Sequence, residues 1–397
     1  MNNIILTRTQ INNTNYIAYL ELDSSRQIVN LMLYDDDNPS LLNNIYSARV
    51  DNIITNINSA FLKISPNQTC FMSLNAASSY IYSHKNSKKK QLCIGDEIIV
   101  QVAKDAVKTK DPVVVPKLSI YGEYSILTTE NRSISVSHKI NSELSEQIKD
   151  TLLHQYPDHE SEGFGILVRT NAQDIPSKTL YTDVHALTET FTNIKIKASH
   201  CDLYSCLYKA PEEYLMALSS VDLSNIDQII TDEDDIYNKL ISIERYKESG
   251  MISLYNDTQV SLSTLYSLKS QLGKLTDSRV WLKSGANIII EQLETLTVVD
   301  VNTAKNQGRK TNALTVNLEA AAEILHQIKL RNISGMIIID FINMKKQNEI
   351  EQLISFIKAH IKANDSKCDF IDITKLGLIE LTRKKTTKSL KEQLHKN

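Results

Sequence analysis

Short apolar runs separated by polar turns dominate the first hundred residues. Residues 1–35 contain IILT, YIAYLEL and IVNLMLYD, and residues 45–105 continue with IYSARV, AFLKIS, TCFMSL and GDEIIVQVAK. Alternation of apolar and polar positions over four to eight residues is typical of β-strands. Because no helical pattern interrupts these runs, they predict a sheet followed by a small Greek-key barrel of the OB type.

The middle of the chain carries a weaker pattern. Strands are predicted in SIYGEYSIL and GFGILVRT, within residues 118–170, with one helix near residues 141–154. Between residues 172 and 275 the apolar spacing is irregular, so only helical stretches and linkers are predicted there.

The pattern sharpens from residue 280 onward. VWLKSGANIIIEQLETLTVVDVNT predicts two strands joined by a short turn, and LTVNLEAAAEILHQIKLRNI has apolar residues at helical spacing. SGMIIIDFI then predicts a buried strand, and a further helix is expected at about residues 347–363. Strand, crossover helix and strand form a βαβ unit, so its two strands should be parallel and close together.

Composition limits the class of protein. A chain of 397 residues suggests two or three domains at roughly 150 residues each. Only 10 glycines and 7 prolines occur, which excludes collagen-like and Gly- or Pro-rich disordered classes. No apolar run approaches the roughly 18 residues of a membrane span, and the start MNNIILTRTQ lacks a signal-peptide layout. A cytoplasmic protein without a membrane partner is expected.

The formal net charge of −3 hides two basic segments, at residues 85–90 and 375–397. Either both are solvated patches or they form a surface that contacts phosphate. The five scattered cysteines predict reduced thiols. Cys201 and Cys206 have a C-x4-C spacing that is unusual for zinc, so they are predicted to be ordinary buried thiols.

Two aspartates follow the apolar strands of the predicted βαβ unit. Asp300 comes after two valines and Asp340 after three isoleucines, near the strand ends where open α/β sheets bind ligands. Asn302 shares a strand face with Asp300, because residues i and i+2 project to the same side. Two carboxylates and an amide oxygen suit Mg²⁺. In the alternative interpretation Asp300 caps a turn and Asp340 pairs with a lysine such as Lys345.

Three segments resemble the catalytic core of the ribonuclease E/G family. They are VWLKSGANIIIEQLETLTVVDVNT, NLEAAAEILHQIKLRNISGMIIIDFINM and LGLIELTRKKTTKSL, which occur in order at near-family spacing. The resemblance extends upstream to IYSARVDNIITNINSAFLKI and GFGILVRT, whereas residues 172–275 match loosely.

The resemblance implies a mixed α/β and β fold of several subdomains. An RNase H-like subdomain is expected from residues 1–35 and 215–278, with an S1 (OB-type) RNA-binding barrel inserted at residues 36–118. A 5′-sensor region is expected at residues 119–214, and a DNase I-like catalytic subdomain at residues 279–397.

By similarity, Asp300 and Asp340 bind one Mg²⁺ per active site, and Asn302 orients the scissile phosphate or the metal shell. The implied activity is that of an endoribonuclease that hydrolyses single-stranded, A/U-rich RNA and leaves 5′-phosphate and 3′-hydroxyl ends. The implied roles are processing of ribosomal and transfer RNA and decay of messenger RNA.

The resemblance also implies an RNA contact on the barrel. Phe61 and Phe71 match aromatics on which a base stacks, and Lys110 matches a lysine that contacts the strand. From the residues alone, both phenylalanines are expected to belong to the core, and the resemblance reverses that expectation.

Five residues match a pocket that favours 5′-monophosphorylated ends. Arg169 and Thr170 come from a GxxVRT-type strand, Gly122 and Ile126 from SIYGEYSIL, and Lys367 replaces a family arginine. A guanidinium holds a phosphate by two parallel hydrogen bonds, whereas lysine keeps the charge and loses the fork. An exposed strand arginine is the alternative interpretation of Arg169.

The sequence departs from the family pattern in several places. Asn343 stands where the family usually has an aspartate, and Ala48 replaces a glycine common before the first S1 strand. The family's Cys-Pro-x-Cys zinc link and small dimerisation domain do not follow the TRKKTTKSL segment, so zinc is not expected and a homo-oligomer is left open. These departures support a second hypothesis, an RNA-binding relative with weak or lost cleavage activity.

Overall fold

The computed structural model describes residues 1–74, 80–85, 91–106, 110–303, 312–365, 367–385 and 387–394. Parts of both predicted basic segments, residues 86–90, 386 and 395–397, lie outside these ranges. The chain divides into a first unit, Met1–Asn38 with Leu223–Asn397, and a second unit, Pro39–Asp222. None of the helices in the described ranges is long and apolar enough to cross a membrane.

The predicted mixture of strands and helices is confirmed. The strands in the described residues are β1 (Asn2–Ile11), β2 (Thr14–Leu22), β3 (Ile28–Asp35), β4 (Ile45–Ile54), β5 (Ser59–Ser65), β6 (Gln68–Ser73), β7 (Tyr82–His84), β8 (Glu97–Lys104), β9 (Val113–Val115), β10 (Ser119–Tyr121), β11 (Ser125–Thr128), β12 (Ile134–Val136), β13 (Gly165–Val168), β14 (Cys206–Tyr208), β15 (Ile226–Thr231), β16 (Ile252–Leu254), β17 (Arg279–Trp281), β18 (Asn287–Gln292), β19 (Leu296–Asn302), β20 (Gly335–Asp340), β21 (Cys368–Ile373) and β22 (Ile379–Arg383). The α-helices there are α1 (Ser142–Gln155), α2 (His159–Glu162), α3 (Ser177–Ala198), α4 (Glu213–Ser219), α5 (Asp234–Ser242), α6 (Glu244–Ser249), α7 (Leu262–Leu265), α8 (Leu268–Thr276), α9 (Ala313–Leu330), α10 (Gln347–Asn364) and α11 (Leu390–Leu394).

The first unit begins with a five-stranded sheet in the order β16-β15-β1-β2-β3. β1, β2 and β3 are antiparallel neighbours, as the alternating pattern of residues 1–35 predicts, whereas β15 and β16 are parallel to β1. These two short strands come from the segment with irregular spacing and were not predicted. Their edge of the sheet is completed by residues some two hundred positions from β1 in the sequence, a pairing that local periodicity does not reveal.

The second unit contains a closed barrel. Its wall runs β4-β5-β6-β9-β8, and β8 pairs back with β4 to close it. Alternate residues of the wall, including Leu62, Cys70, Met72, Val100 and Val114, fill the interior. This five-stranded barrel is consistent with the OB or S1 type that the pattern of residues 45–105 predicts.

A four-stranded sheet in the order β10-β11-β13-β12 completes the second unit. Its core includes Leu152 of α1 and Val184 of α3 together with Ile120, Leu127 and Ile166 of the sheet. The predicted helix near residues 141–154 is confirmed as α1, which is capped where the Asn141 side chain accepts a 3.0 Å hydrogen bond from the Glu143 amide.

A six-stranded sheet in the order β17-β18-β19-β20-β22-β21 lies in the first unit. Val299, Val301, Ile337 and Ile339 belong to a core that also contains the apolar residues of α9 and α10. The predicted parallel pairing within the βαβ unit is confirmed, since β19 and β20 are direct parallel neighbours.

Two details of this region were predicted wrongly. Three strands replace the two predicted, because Arg279–Trp281 pairs with β18 as an additional edge strand. β20 is buried on one face only: Met336 is 57% exposed, and Asp340 is also exposed. The continuous apolar run MIII before Asp340 therefore indicates a strand, but it does not show that both faces of the strand are buried.

All five cysteines are free thiols, in line with the prediction that they are reduced. The prediction that Cys201 and Cys206 are both buried is wrong. Cys201 is partly exposed and Cys206 is exposed. Cys206 begins β14, which lies at the edge of its sheet, and an edge strand leaves one side open to solvent.

Candidate active site

The two predicted catalytic aspartates lie side by side. β19 and β20 are parallel, and their register sets Asp300 opposite Asp340. Neighbouring strands are about 4.8 Å apart, and residues opposite each other project to the same face of the sheet. Because Val299 and Ile339 are buried beneath the helices, this pair lies on the opposite face, where Asp300 is partly exposed and Asp340 exposed.

Asn302 contacts the pair directly. Its Nδ2 donates a 2.6 Å hydrogen bond to Oδ2 of Asp300, two residues earlier on the same strand face. The bond holds the Asp300 carboxylate in one orientation. A charge-assisted hydrogen bond of this kind is stronger than one between neutral groups.

The structure does not show the alternative roles of these aspartates, which were a turn cap at Asp300 and an ion pair between Asp340 and Lys345. Asp300 lies within β19 rather than in a turn. Within the part of the chain that the structure describes, Asp340 and Lys345 form no ion pair. Two carboxylates held next to each other repel unless a cation or a proton intervenes. Their arrangement therefore favours a cation-binding site over an internal salt bridge.

Asn287 is a site residue that the sequence pattern did not single out. It lies opposite Asn302 in the β18–β19 pair, so its side chain is on the same face as Asp300. Asn287 is only 7% exposed, and its Oδ1 accepts no hydrogen bond from the described residues. A buried acceptor without a donor costs free energy, so a water or a cation is expected to meet it. An asparagine before an isoleucine run carries no signal of this role in the sequence.

The donor set fits a hard cation such as Mg²⁺. The carboxylates of Asp300 and Asp340 and the unsatisfied Oδ1 of Asn287 are all oxygen donors, which Mg²⁺ prefers. The described residues hold no cluster of three or more His, Cys, Asp or Glu side chains able to bind a metal. Mg²⁺ usually needs only one or two carboxylates, with phosphate oxygens and water completing its shell.

An aromatic pair lies on the outer wall of the barrel. Phe61 of β5 is opposite Phe71 of β6, with the ring centroids 5.9 Å apart and the ring planes at 75°. Ala60, Leu62 and Met72 project into the barrel, so the two rings project outward and both are partly exposed. The alternative that these phenylalanines form the barrel core is wrong, because the interior positions belong to their neighbours.

Lys110 comes just before the strand that pairs with Phe71. The Phe71 amide donates a 2.8 Å hydrogen bond to the carbonyl oxygen of Pro112, and Phe71 pairs with Val113 of β9. Lys110 is exposed and lies two residues before Pro112 in the chain. Its contact with RNA stays a prediction.

The predicted 5′-phosphate pocket is centred on Arg169 in the second unit. The GxxVRT pattern predicts Arg169 and Thr170 within a strand. In the structure both residues follow the end of β13 instead. The Arg169 guanidinium is partly exposed and donates hydrogen bonds to the carbonyl oxygens of Gly122 and Glu123, at 3.3 and 3.2 Å. The Thr170 hydroxyl lies 2.8 Å from the Ser137 hydroxyl. Arg169 is therefore not the freely exposed strand residue of the alternative interpretation.

The turn next to Arg169 requires glycine. A Cβ at Gly122 would lie 2.7 Å from both carboxylate oxygens of Asp183, closer than atoms approach. That carboxylate cannot easily move, because it accepts hydrogen bonds from the amides of Glu123 and Tyr124 and from the Ser125 hydroxyl. Gly122 therefore lets the turn close onto Asp183 and sets the position of the carbonyls that Arg169 contacts.

Two further residues were predicted for this pocket. Ile126 lies on β11 and is partly exposed, pairing with Leu167 of β13. Lys367 belongs to the first unit, whereas the other four residues belong to the second. Desolvation lowers the pKa of the Lys367 ammonium, and the neighbouring Arg383 charge lowers it further.

Comparison with known proteins places the chain in a family. A family model described as Ribonuclease E/G family matches residues 119–386. The chain belongs to this family. The resemblance read from its motifs is thereby confirmed.

The curated relatives of this ribonuclease E/G family member cover most of its length. Ribonuclease G of Haemophilus influenzae is 27% identical over 369 residues, which cover 89% of this chain and 74% of that protein. Ribonuclease E of Synechocystis is 28% identical over 359 residues, covering 88% and 53%, and ribonuclease G of Escherichia coli K12 is 25% identical, covering 89% and 75%. The chain therefore spans about half the length of the ribonuclease E relative and about three quarters of each ribonuclease G.

In this ribonuclease E/G family member, the predicted site residues gather in three places. The catalytic group on β19 and β20 contains Asp300, Asp340 and Asn302, the barrel contact contains Phe61, Phe71 and Lys110, and the pocket near β13 contains Arg169, Thr170, Gly122 and Ile126. Their roles in catalysis and binding remain predictions.

Proposed function

We propose that this protein is an endoribonuclease that hydrolyses single-stranded RNA with the help of Mg²⁺. The observation that carries the proposal is the register of β19 and β20, which sets the Asp300 and Asp340 carboxylates next to each other on an open sheet face. Membership of the ribonuclease E/G family and the names of the curated relatives support the same activity.

In this proposal each residue of the catalytic group has a task. Asp300 and Asp340 would hold Mg²⁺, which when bound polarises a phosphoryl oxygen and lowers the pKa of water. Asn302 keeps the Asp300 carboxylate oriented through its 2.6 Å hydrogen bond. Asn287 offers its unsatisfied Oδ1 to an ordered water on the same face.

Hydrolysis through water accounts for the expected products. The water oxygen forms the new bond to phosphorus, the bond from phosphorus to the 3′-oxygen breaks, and the 3′-oxygen takes up a proton. The phosphate then remains on the downstream fragment, as a 5′-phosphate, and the upstream fragment ends in a 3′-hydroxyl. A side-chain nucleophile is not needed in this scheme.

The barrel surface supports a single-stranded substrate. A ring that projects outward can stack on an unpaired base, and such stacking contributes about 1–3 kcal/mol per base with little dependence on sequence. Phe61 and Phe71 supply two such rings, and Lys110 supplies a positive charge for the backbone. We propose A/U-rich segments, which pair weakly, in ribosomal and transfer RNA precursors and in messenger RNA as the substrates.

A preference for 5′-monophosphorylated ends is proposed for the pocket near β13. The Arg169 guanidinium and the Thr170 hydroxyl are the donors for a terminal phosphate, and Gly122 sets the adjoining turn. Ile126 completes the proposed set within the second unit. The prediction that Lys367 takes part rests on its motif match alone, and a lysine would give a weaker preference than an arginine because it lacks the guanidinium fork.

The test compares cleavage with binding. Asp300→Asn and Asp340→Asn should each lower the cleavage rate of a 5′-monophosphorylated oligoribonucleotide in Mg²⁺ by at least a hundredfold, with RNA affinity within threefold of wild type. Asp369→Asn, an exposed aspartate on β21 of the same sheet, is the matched control and should cleave normally. Full activity in either variant of the pair would refute the assignment.

The same assay decides the second hypothesis, an RNA-binding relative with weak or lost cleavage activity. Asn343 motivates it, since this exposed residue has a neutral side chain where the family usually has an acidic one. Tight RNA binding by wild-type protein without Mg²⁺-dependent products would favour that hypothesis. Asn343→Asp would then be expected to raise the cleavage rate.

A further inference from the structure

An arginine and a tryptophan lie on the edge strand of the sheet that carries the aspartate pair. Arg279 and Trp281 belong to β17, and Val280 between them packs against the core that also contains α9 and α10. Alternate residues of a strand project to opposite faces. Arg279 and Trp281 therefore project to the catalytic face, meaning the face of this sheet that carries Asp300 and Asp340.

The strand registers connect the two side chains with the aspartate pair. Arg279 lies opposite Ile289 of β18, and Ile289 lies opposite Asp300. Trp281 lies in the next row, opposite Asn287. Neighbouring strands are about 4.8 Å apart, so β17 is about 10 Å from β19. Because nucleotides of a stacked strand follow each other every 3.4 Å or so, a strand placed on Asp300 reaches β17 within about three nucleotides.

Both side chains are open to solvent. Trp281 is 65% exposed, although tryptophan is highly buried on average. The Arg279 Cζ atom lies 5.7 Å from the centroid of the Trp281 ring, a cation–π contact that keeps the two side chains together and leaves the other face of the indole free. No side chain in the described ranges forms an ion pair with Arg279. An exposed aromatic ring beside a guanidinium is a combination that binders of single-stranded nucleic acid use.

The charge on the catalytic face differs between its two sides. Beyond the aspartate pair, Glu380 of β22 lies opposite Ile338 of β20, and Asp372 of β21 lies opposite Glu380. Ile338 projects to the catalytic face because its neighbours Ile337 and Ile339 are buried in the core. Carboxylates repel a phosphate backbone, whereas the guanidinium on β17 attracts it. An RNA strand bound at the aspartate pair is therefore favoured to run toward β17.

We propose that Trp281 stacks on a base, and Arg279 contacts a phosphate, of the RNA strand whose scissile phosphate lies at the Asp300–Asp340 pair. This inference rests on the proposed function, because it names the path of the substrate beside the catalytic group. Stacking on an aromatic ring tolerates every base. The contact therefore fixes the position of the strand and does not select a sequence.

The fluorescence of Trp281 tests the base contact directly, because the chain contains one tryptophan. A single-stranded oligoribonucleotide added to the full-length protein in EDTA should quench the emission saturably and at least twofold, since a stacked base quenches an indole. Unchanged emission, while the anisotropy of a labelled oligoribonucleotide shows binding, would overturn the proposal.

Oligoribonucleotides that each lack one base locate the contact along the strand. Quenching should be lost when the missing base lies within about three nucleotides of the mapped cleavage site. Loss of quenching only at more distant positions would contradict the path toward β17.

Substitution of Trp281 tests its effect on the reaction. Trp281→Ala should raise the KM for cleavage in Mg²⁺ roughly 5- to 150-fold, with kcat within threefold of wild type. Trp281→Phe keeps an aromatic face and should restore KM to within threefold. The matched control is Met336→Ala, which removes an exposed apolar side chain from β20 on the same face and should leave KM within twofold. Equal KM values for Trp281→Ala and wild type would overturn the proposal.

The contact of Arg279 with phosphate is tested by salt dependence. Arg279→Gln should lower the slope of log affinity against log salt concentration by about 0.7, the value for one phosphate contact with a single strand. Lys362→Gln removes an exposed charge from α10, which packs on the other face of the sheet, and should leave the slope unchanged. Equal slopes for Arg279→Gln and wild type would refute the role of Arg279.

The outcomes distinguish this inference from the proposed function. If wild type cleaves RNA in Mg²⁺ and the Trp281 emission does not respond, this inference fails and the nuclease stands. If RNA quenches the emission and is not cleaved, the base contact is supported and the proposed function is refuted.

Discussion

The outward position of Phe71 gives a prediction that separates binding from folding. Phe71→Ala removes one of the two rings on the barrel wall. Loss of base stacking costs about 1–3 kcal/mol. Since about 1.4 kcal/mol is a factor of ten, the dissociation constant for single-stranded RNA should rise roughly 5- to 150-fold.

The same substitution should have a small effect on stability. Phe71 is partly exposed, and the residues on either side of it, Cys70 and Met72, keep the barrel interior intact. The edge-to-face contact with Phe61 contributes about 0.5–1.5 kcal/mol. We therefore expect a loss of about 1–2 kcal/mol in the free energy of unfolding, below the 3–5 kcal/mol typical of a fully buried phenylalanine.

Fluorescence anisotropy of a labelled oligoribonucleotide in EDTA measures the affinity, and urea denaturation measures the stability. Phe71→Tyr keeps the aromatic face and should restore binding to within threefold of wild type. Because the ring carries no charge, the salt dependence of binding should not change in Phe71→Ala, whereas Lys110→Gln should reduce its slope by about 0.7. Unchanged affinity in Phe71→Ala, or a stability loss near 4 kcal/mol, would refute the reasoning.

Three further predictions rest on contacts in the structure. Gly122→Ala places a Cβ 2.7 Å from the Asp183 carboxylate, so the ratio of cleavage rates for 5′-monophosphate and 5′-hydroxyl substrates should fall several-fold; an unchanged ratio contradicts this. Arg8→Met should lower the unfolding free energy by about 1–3 kcal/mol at pH 7, because Arg8 binds Asp235 and two other carboxylates. The hydrogen bond from Arg8 lowers the pKa of the Asp235 carboxyl from 3.8 to about 2. The stabilisation by this pair is therefore complete above about pH 4 and is lost as the pH falls toward 2. Urea midpoints measured between pH 4 and pH 2 test whether the stability falls in this direction. Asn287→Ala should lower the cleavage rate with little change in RNA affinity, while a proportional loss of both would indicate a structural role.

Much of the catalytic sheet could be predicted from the sequence. The βαβ pattern predicts parallel, nearby strands, and each aspartate comes where an apolar run ends. The register that sets Asp300 opposite Asp340 depends on how many residues each strand contributes before pairing begins, which the pattern does not specify. The burial of Asn287 likewise depends on its pairing with β19, which the local pattern does not specify.

Other features depended on tertiary structure. Alternation along β5 allows Phe61 to be core or surface, and only the closure of the barrel shows that Leu62 projects inward. β15 contains three isoleucines without a regular alternation, and its local pattern does not show that it pairs with β1. Arg331 has a side chain of a type that is usually exposed, yet it is buried in the fold, where its carbonyl oxygen accepts a 2.9 Å hydrogen bond from the amide of Leu390 at the start of α11.

The most direct test of the central claim is the turnover of a 5′-monophosphorylated, A/U-rich, single-stranded RNA by wild-type protein at catalytic amounts. The proposed function predicts many product molecules per protein molecule in Mg²⁺, none in EDTA, and fragments whose masses show 5′-phosphate and 3′-hydroxyl ends. Stable binding of the RNA with no Mg²⁺-dependent fragments, or fragments that end in 2′,3′-cyclic phosphate, would contradict it.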